Sequence, residues 1–179
     1  MEWSFKELST YDEPLKVNIQ LNIKNIMKER FPDLIIDITP VKVDGYLTLD
    51  NDDAILSAHV CGEVTVPSSR SLEPVVLPID FEMNEIYIND EQHLNRYDED
   101  ETVIILDQPV IVLEDGVIDN IVAQIPIQVL TEEEKLNDNL PSGDGWNVIS
   151  EDDYSSKSKK KIDPRLSKLK DILSDNNDK

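Results

Sequence analysis

Cations, cysteine, glycine and aromatic residues are all scarce in this sequence of 179 residues. The one cysteine, Cys61, cannot close an internal disulfide, which fits a reducing compartment. Five glycines leave little room for loops that cradle phosphate, and neither GxxxxGK[ST] nor GxGxxG occurs. Aromatics make up 6% of the chain and are too sparse near its basic end for a base-stacking platform. No run approaches the roughly 18 apolar residues needed to span a bilayer. Met1 to Leu8 has neither a basic start nor an apolar core of signal-peptide length, so the expected location is cytoplasmic, with no membrane partner.

What is abundant is negative charge. Lys and Arg number 17 against 38 Asp and Glu, for a formal net charge of −21. Residues 1–154 hold 9 cations against 34 acids, whereas residues 155–179 hold 8 against 4, so an acidic body bears a basic tail. Such a body repels nucleic-acid phosphates and attracts basic partners at a distance, although on charge alone plain solubility is the favoured explanation.

Patterning divides the chain. Ser4-Phe5-Lys6-Glu7 is a capping box that starts a short helix. Leu15, Val17, Ile19, Leu21 and Ile23 alternate as a half-buried strand, and Lys24 to Arg30 forms a second short helix ended by Phe31-Pro32. Val41 to Leu49 and Leu56 to Val66 alternate on either side of Asp50-Asn51-Asp52-Asp53 and predict a hairpin. A third alternating run, Val75 to Met83, slips phase at Asn84-Glu85, the signature of a bulge or bend. Residues 89–101 read as a mobile acidic loop, and Val103 to Leu106 as another strand. From Gly116 the period lengthens: Val117, Ile118, Ile121, Val122 and Ile125 share one helical face, closed by Pro126. Asp163-Pro164 caps a last helix lined by Leu166, Leu169, Ile172 and Leu173. The fold class is α+β, an antiparallel sheet free to curl towards a barrel, with a few covering helices and a basic C-terminal tail ending in a short helix. Residues 1–130 form the acidic core domain, 131–162 a largely flexible acidic-to-basic linker, and 163–173 the amphipathic helix.

Residues suited to catalysis are few. His59 and Cys61 lie two apart on one strand and face the same side, yet a stable zinc site takes three or four ligands, so a surface role is the simpler reading. His93 falls in the acidic loop. Asp98-Glu99-Asp100-Glu101 and Asp50-Asn51-Asp52-Asp53 are consecutive carboxylate runs without the fixed geometry that magnesium or calcium demands, and both read as solvated turns. The expectation is no enzyme, no cofactor and no small-molecule substrate. Binding is better represented: Lys157, Lys159, Lys160, Lys161, Arg165, Lys168 and Lys170 form a run suited to RNA or phosphate, or to folding back on the acidic body.

Several segments in order resemble the YceD family, with likeness to members from Gram-positive bacteria of low genomic GC. They are Trp3-Ser4-Phe5-Lys6-Glu7-Leu8, Ile38-Thr39-Pro40-Val41-Lys42-Val43-Asp44-Gly45 and Cys61 to Glu73 with its arginine loop and Leu72-Glu73. Asp144-Gly145-Trp146-Asn147-Val148-Ile149-Ser150 and Asp163-Pro164-Arg165-Leu166-Ser167-Lys168-Leu169 complete the set. The resemblance implies a role in accumulation of large-subunit ribosomal RNA, with an RNA precursor or a basic large-subunit ribosomal protein as partner. It brings no established catalytic residue. Many members carry Cys-x-Arg-Cys in the central loop and further cysteines after the later helix. Here Ser68 and Ser71 flank Arg70 and no cysteine follows Pro126, so a zinc role is not expected. Arg70 remains as a contact for phosphate or carboxylate, or as an ordinary ion-pair residue. A non-enzymatic binding accessory, a metal-dependent RNA-processing enzyme built on Asp98 to Glu101, and an acidic nucleic-acid mimic are the readings these residues leave open.

Overall fold

The computed structural model describes residues 1–136, 140, 142–149 and 154–155. The chain divides into two compact units, Met1–Thr131 and Glu132–Lys179.

The first unit is built on one sheet. Strands β2 (Leu15–Leu21), β4 (Val41–Asp50), β5 (Asp53–Pro67), β6 (Pro74–Ile88) and β7 (Val103–Ile105) lie in that order, and β3 (Asp37–Ile38) pairs with β5 beyond the end of β4. All pairs are antiparallel except β6 with β7, which is parallel from Ile86↔Val103 to Ile88↔Ile105. Among the described residues β2 and β7 close no contact with each other, so the sheet stays open and is no barrel. The β4–β5 hairpin turns on Asn51 and Asp52, whose φ values of 50° and 69° suit a primed two-residue turn; Asn and Asp tolerate that region better than other side chains.

Period-two alternation sends one row of side chains inward. Val17, Val43, Leu47, Leu56, Val60 and Met83 are each at most 2% exposed. Helices cover this face: α1 (Phe5–Leu8), α2 (Lys24–Arg30) and α3 (Leu113–Gln124) contribute Phe5, Leu8, Met27, Leu113, Val117, Ile118 and Ile121 to the same buried cluster. Burial of each such large side chain contributes about 1.5–3 kcal/mol. The predicted capping box is present, with Glu7 N–H donating to Ser4 Oγ at 3.2 Å and Ser4 N–H to Glu7 Oε2 at 2.9 Å. Gly45 faces Ala58 so closely that a Cβ there would sit 2.2 Å from the Ser57 carbonyl oxygen.

Three expectations need correction. The phase slip at Asn84-Glu85 is no bulge: β5 and β6 keep one register from Ala54↔Tyr87 to Pro67↔Pro74. Glu85 continues the inward row of Ile79, Phe81 and Met83. Ile86 and Ile88 look out of phase because the other face of this strand end is buried as well. Residues 89–101 are not a structureless loop but hold a 3₁₀ helix, Glu91–Arg96, whose first turn is capped by Asp90 Oδ1 accepting from Gln92 N–H at 2.9 Å. Finally, α3 begins at Leu113, one turn before Gly116. It follows β8 (Val110–Val112), which pairs with β1 (Glu2–Ser4) in a small second sheet.

The second unit contains α4 (Glu132–Leu136) and a hairpin of β9 (Ser142–Gly143) and β10 (Trp146–Asn147). Its Asp144-Gly145 turn uses glycine at φ 80°. The expected helix at 163–173 lies outside the described residues, as does much of the expected linker.

Candidate functional site

Arg70 sits in the loop Ser68–Glu73 at the end of the β5–β6 hairpin. Serine side chains organise this loop. Buried Ser68 Oγ accepts from Arg70 N–H at 3.1 Å and Ser71 N–H at 3.4 Å, and the Ser68 backbone N–H donates to Glu73 O at 2.8 Å. Ser69 N–H donates to Val129 O at 2.8 Å, and Val129 N–H returns to Ser69 Oγ at 2.9 Å. The loop is thus clasped to the segment after α3, with Val129 buried beneath it. Ser68 and Ser71, the positions where the resemblance placed cysteines, brace the loop itself: Ser68 Oγ accepts the two N–H groups of Arg70 and Ser71, and Ser71 Oγ accepts from Glu73 N–H at 3.3 Å. Arg70 itself is exposed, beside Leu72 at φ 63° and 72% exposure. The other expected contacts, Lys157, Lys159, Lys160, Lys161, Arg165, Lys168 and Lys170, lie outside the described residues.

The outer face of the sheet is polar. His59 stands opposite Asp44 on one neighbouring strand and Glu82 on the other, and its Nε2 lies 2.7 Å from Asp80 Oδ1. Cys61 shares that face, as its spacing required. Among the described residues no group of three or more His, Cys, Asp or Glu is arranged to hold a metal ion. Asp98 to Glu101 form a turn in which Glu101 Oε2 accepts from Asp98 N–H at 2.8 Å, so part of this run serves its own backbone.

Two polar clusters were not legible in the sequence. Asp53, assigned to a solvated turn, is fully buried: the 3₁₀ helix lays His93 Nδ1 at 2.6 Å from Oδ1, while Oδ2 accepts from Tyr97 Oη at 2.8 Å and Arg96 Nη1 at 3.1 Å. Burial opposes the charged form of Asp53, but hydrogen bonds from His93 and Tyr97 and the neighbouring positive charge outweigh it and hold the carboxyl below its usual range. Beneath α3, Glu85 is 4% exposed and accepts from Tyr87 Oη and from Asn120 Nδ2, the latter at 2.6 Å. Burial first, then this carboxylate, pushes the Tyr87 phenol well above its ordinary value. Gly116 makes the approach feasible, since a Cβ there would lie 2.8 Å from Glu85 Oε2 and 2.9 Å from Tyr87 Oη. A glutamate on an inward row and a glycine within a helical stripe were the available signals.

Two clefts open beside β6, one against α3 and one against residues 100–102 and Asn120. One, about 230 Å³, is lined by Val64, Leu77, Ile79 and Phe81 from the strands, by Ile121 from α3 and by Ile125 just after it, with Asp80 and Gln124 also on its wall. The other, about 390 Å³, is lined by Glu82, Glu85, Asp100 and Glu101 together with Asn120. The first unit as a whole carries 8 Lys and Arg against 26 Asp and Glu.

Fold and surface together define an α+β protein with one long-stranded sheet and a strongly acidic exterior. The chain belongs to the family described as large ribosomal RNA subunit accumulation protein YceD, whose profile matches residues 56–173. That description names large ribosomal RNA subunit accumulation as the family's role. The chain is also similar to the protein of Bacillus subtilis (strain 168) described as uncharacterized protein YlbN, at 27% identity over 181 residues, covering 97% of this chain and 96% of that protein. No solved structure matches the chain. No helix among the described residues is long and apolar enough to cross a membrane.

Proposed function

We propose that this protein is a non-enzymatic accessory in accumulation of large-subunit ribosomal RNA, working in the cytoplasm by binding. Its acidic body holds a basic large-subunit ribosomal protein, and its tail lysines, Lys157 and Lys159 to Lys161 with Arg165 and Lys168, touch the RNA precursor. Family membership over residues 56–173 carries the ribosomal part of this reading. The charge division supports the binding part: a field of one sign over the first unit raises the encounter rate with basic polypeptides and keeps bare phosphate away from all but the tail.

The test is direct binding of the purified full chain, at low salt, to large-subunit ribosomal RNA and to basic large-subunit ribosomal proteins. The reading expects at least one of these to bind, with affinity that falls steeply as salt rises. Binding to neither removes the mechanism. Magnesium-dependent cleavage of precursor RNA, lost when Asp98 to Glu101 become amides, would replace it with the enzymatic reading.

A further inference from the structure

The apolar and acidic clefts adjoin. They meet along α3, where Gln124 lines one and Asn120, one helical turn away on the same side, lines the other; on β6 the adjacent Phe81 and Glu82 point to opposite faces of the sheet, so the two clefts join around the edge of that strand. Together they run along an edge of β6 that is open among the described residues, because β7 pairs only with Ile86 to Ile88. Pro74 and Pro78 leave that edge short of N–H donors, which disfavours addition of another strand. An occupant must therefore be recognised by its side chains.

The charge around the clefts selects those side chains. Residues 71–131 contain 14 Asp and Glu but a single cation, Arg96, and that guanidinium is engaged 3.1 Å from Asp53 Oδ2. Among these residues, no other cation is available to meet Glu82, Asp100 or Glu101. Next to them, Leu77, Phe81 and Ile125 are only half-buried and leave apolar surface on the wall of the first cleft. We propose that the two clefts hold one cationic amphipathic segment of a partner protein, its apolar side chains in the first and its Lys or Arg in the second. This assignment rests on the binding role proposed above and names the surface that would perform it. Helical spacing of the partner's residues fits the arrangement, as apolar anchors at i, i+3 and i+4 fill one groove while the flanking cations meet the other.

The probe is a fluorescent synthetic leucine–lysine peptide of about 14 residues, long enough for helix formation on binding, titrated against the full chain. Gln124→Arg with Glu82→Lys places two cations at the clefts at exposed positions. Glu29→Lys with Asp33→Lys makes a similar change of charge on exposed residues that line neither cleft. The cleft pair should weaken binding by ~10-fold or more and the control pair by less than ~3-fold, because nearby charge acts more strongly than the general field. A scrambled peptide of the same composition should bind ~10-fold more weakly, since it cannot place its leucines on one face. Equal losses in both charge pairs, or equal binding of the scrambled peptide, would overturn the proposal. Replacing Lys157, Lys159, Lys160 and Lys161 with Gln separates the chain's own tail from a partner: a ~10-fold gain in peptide affinity would make the tail the occupant and overturn the assignment. If the cleft pair loses the peptide but still binds a basic ribosomal protein, the clefts are the wrong surface for that partner and the wider functional reading survives.

Discussion

Replacing Asp53 with alanine should remove about 3 kcal/mol of folding stability, and replacing it with asparagine about 1 kcal/mol. The carboxylate is fully buried and receives His93 on Oδ1 and both Tyr97 and Arg96 on Oδ2. Broken singly, each charge-assisted bond is worth about 1.5–3 kcal/mol. The sum is smaller, because the Arg96 side chain is 47% exposed and rehydrates, whereas that of His93, at 15%, regains little water. Asparagine can keep its oxygen on Tyr97 and Arg96 and turn its amide towards His93, whose Nδ1 accepts in one neutral tautomer. The depressed carboxyl of Asp53 fixes the sign of the pH effect. Its folded value lies below the unfolded value of about 3.9, so the stabilisation is present above about pH 4 and is lost as pH falls through the folded value. Urea unfolding of wild type, Asp53→Ala and Asp53→Asn, at pH 7 and in steps towards about pH 3, reads both effects. A wild-type-to-alanine gap below about 0.5 kcal/mol at pH 7, or one unchanged by acid, refutes the reasoning.

Gly116→Val should cost about 2 kcal/mol by driving a side chain into Glu85 and Tyr87, with the loss read by thermal or urea unfolding. Tyr97 gives the alkaline counterpart: burial first, then the Asp53 carboxylate, pushes its phenol up to about 12. Raised above the free value of about 10, it stabilises fully below that pH and loses the contribution as pH climbs through about 12, so Tyr97→Phe should flatten this loss in unfolding measured from about pH 9 to 12. Neutralising Lys157, Lys159, Lys160 and Lys161 should lower the log–log salt slope of RNA binding by up to ~0.7 for each single-strand phosphate contact removed, as measured by fluorescence anisotropy; an unchanged slope places the RNA contacts elsewhere.

Local rules made the hairpins and helices legible. Alternation around Asp50 to Asp53 defined β4 and β5, the Ser4–Glu7 pattern gave α1, and the run Lys24 to Arg30 before Phe31-Pro32 coincides with α2. What escaped depends on distant partners. The β1–β8 pair joins three-residue strands more than a hundred positions apart, too short for any period to register. Asp53 looked like its exposed neighbours until the 3₁₀ helix carrying His93, Arg96 and Tyr97 was placed over it. The slip before Ile86 suggested a bulge because alternation fails wherever both faces of a strand are buried. Arg70 could be assigned to a loop, but the Ser69–Val129 clasp that holds the loop needed tertiary structure, as did the clefts beside α3.

The central claim, a role in accumulation of large-subunit ribosomal RNA, is tested most directly by sucrose-gradient profiles of cells carrying the tagged protein beside a strain lacking it. Co-migration of the protein with large-subunit precursors and a deficit of large-subunit RNA in the deletion are expected. A protein confined to the top of the gradient, with normal ribosomal RNA in its absence, would contradict that role.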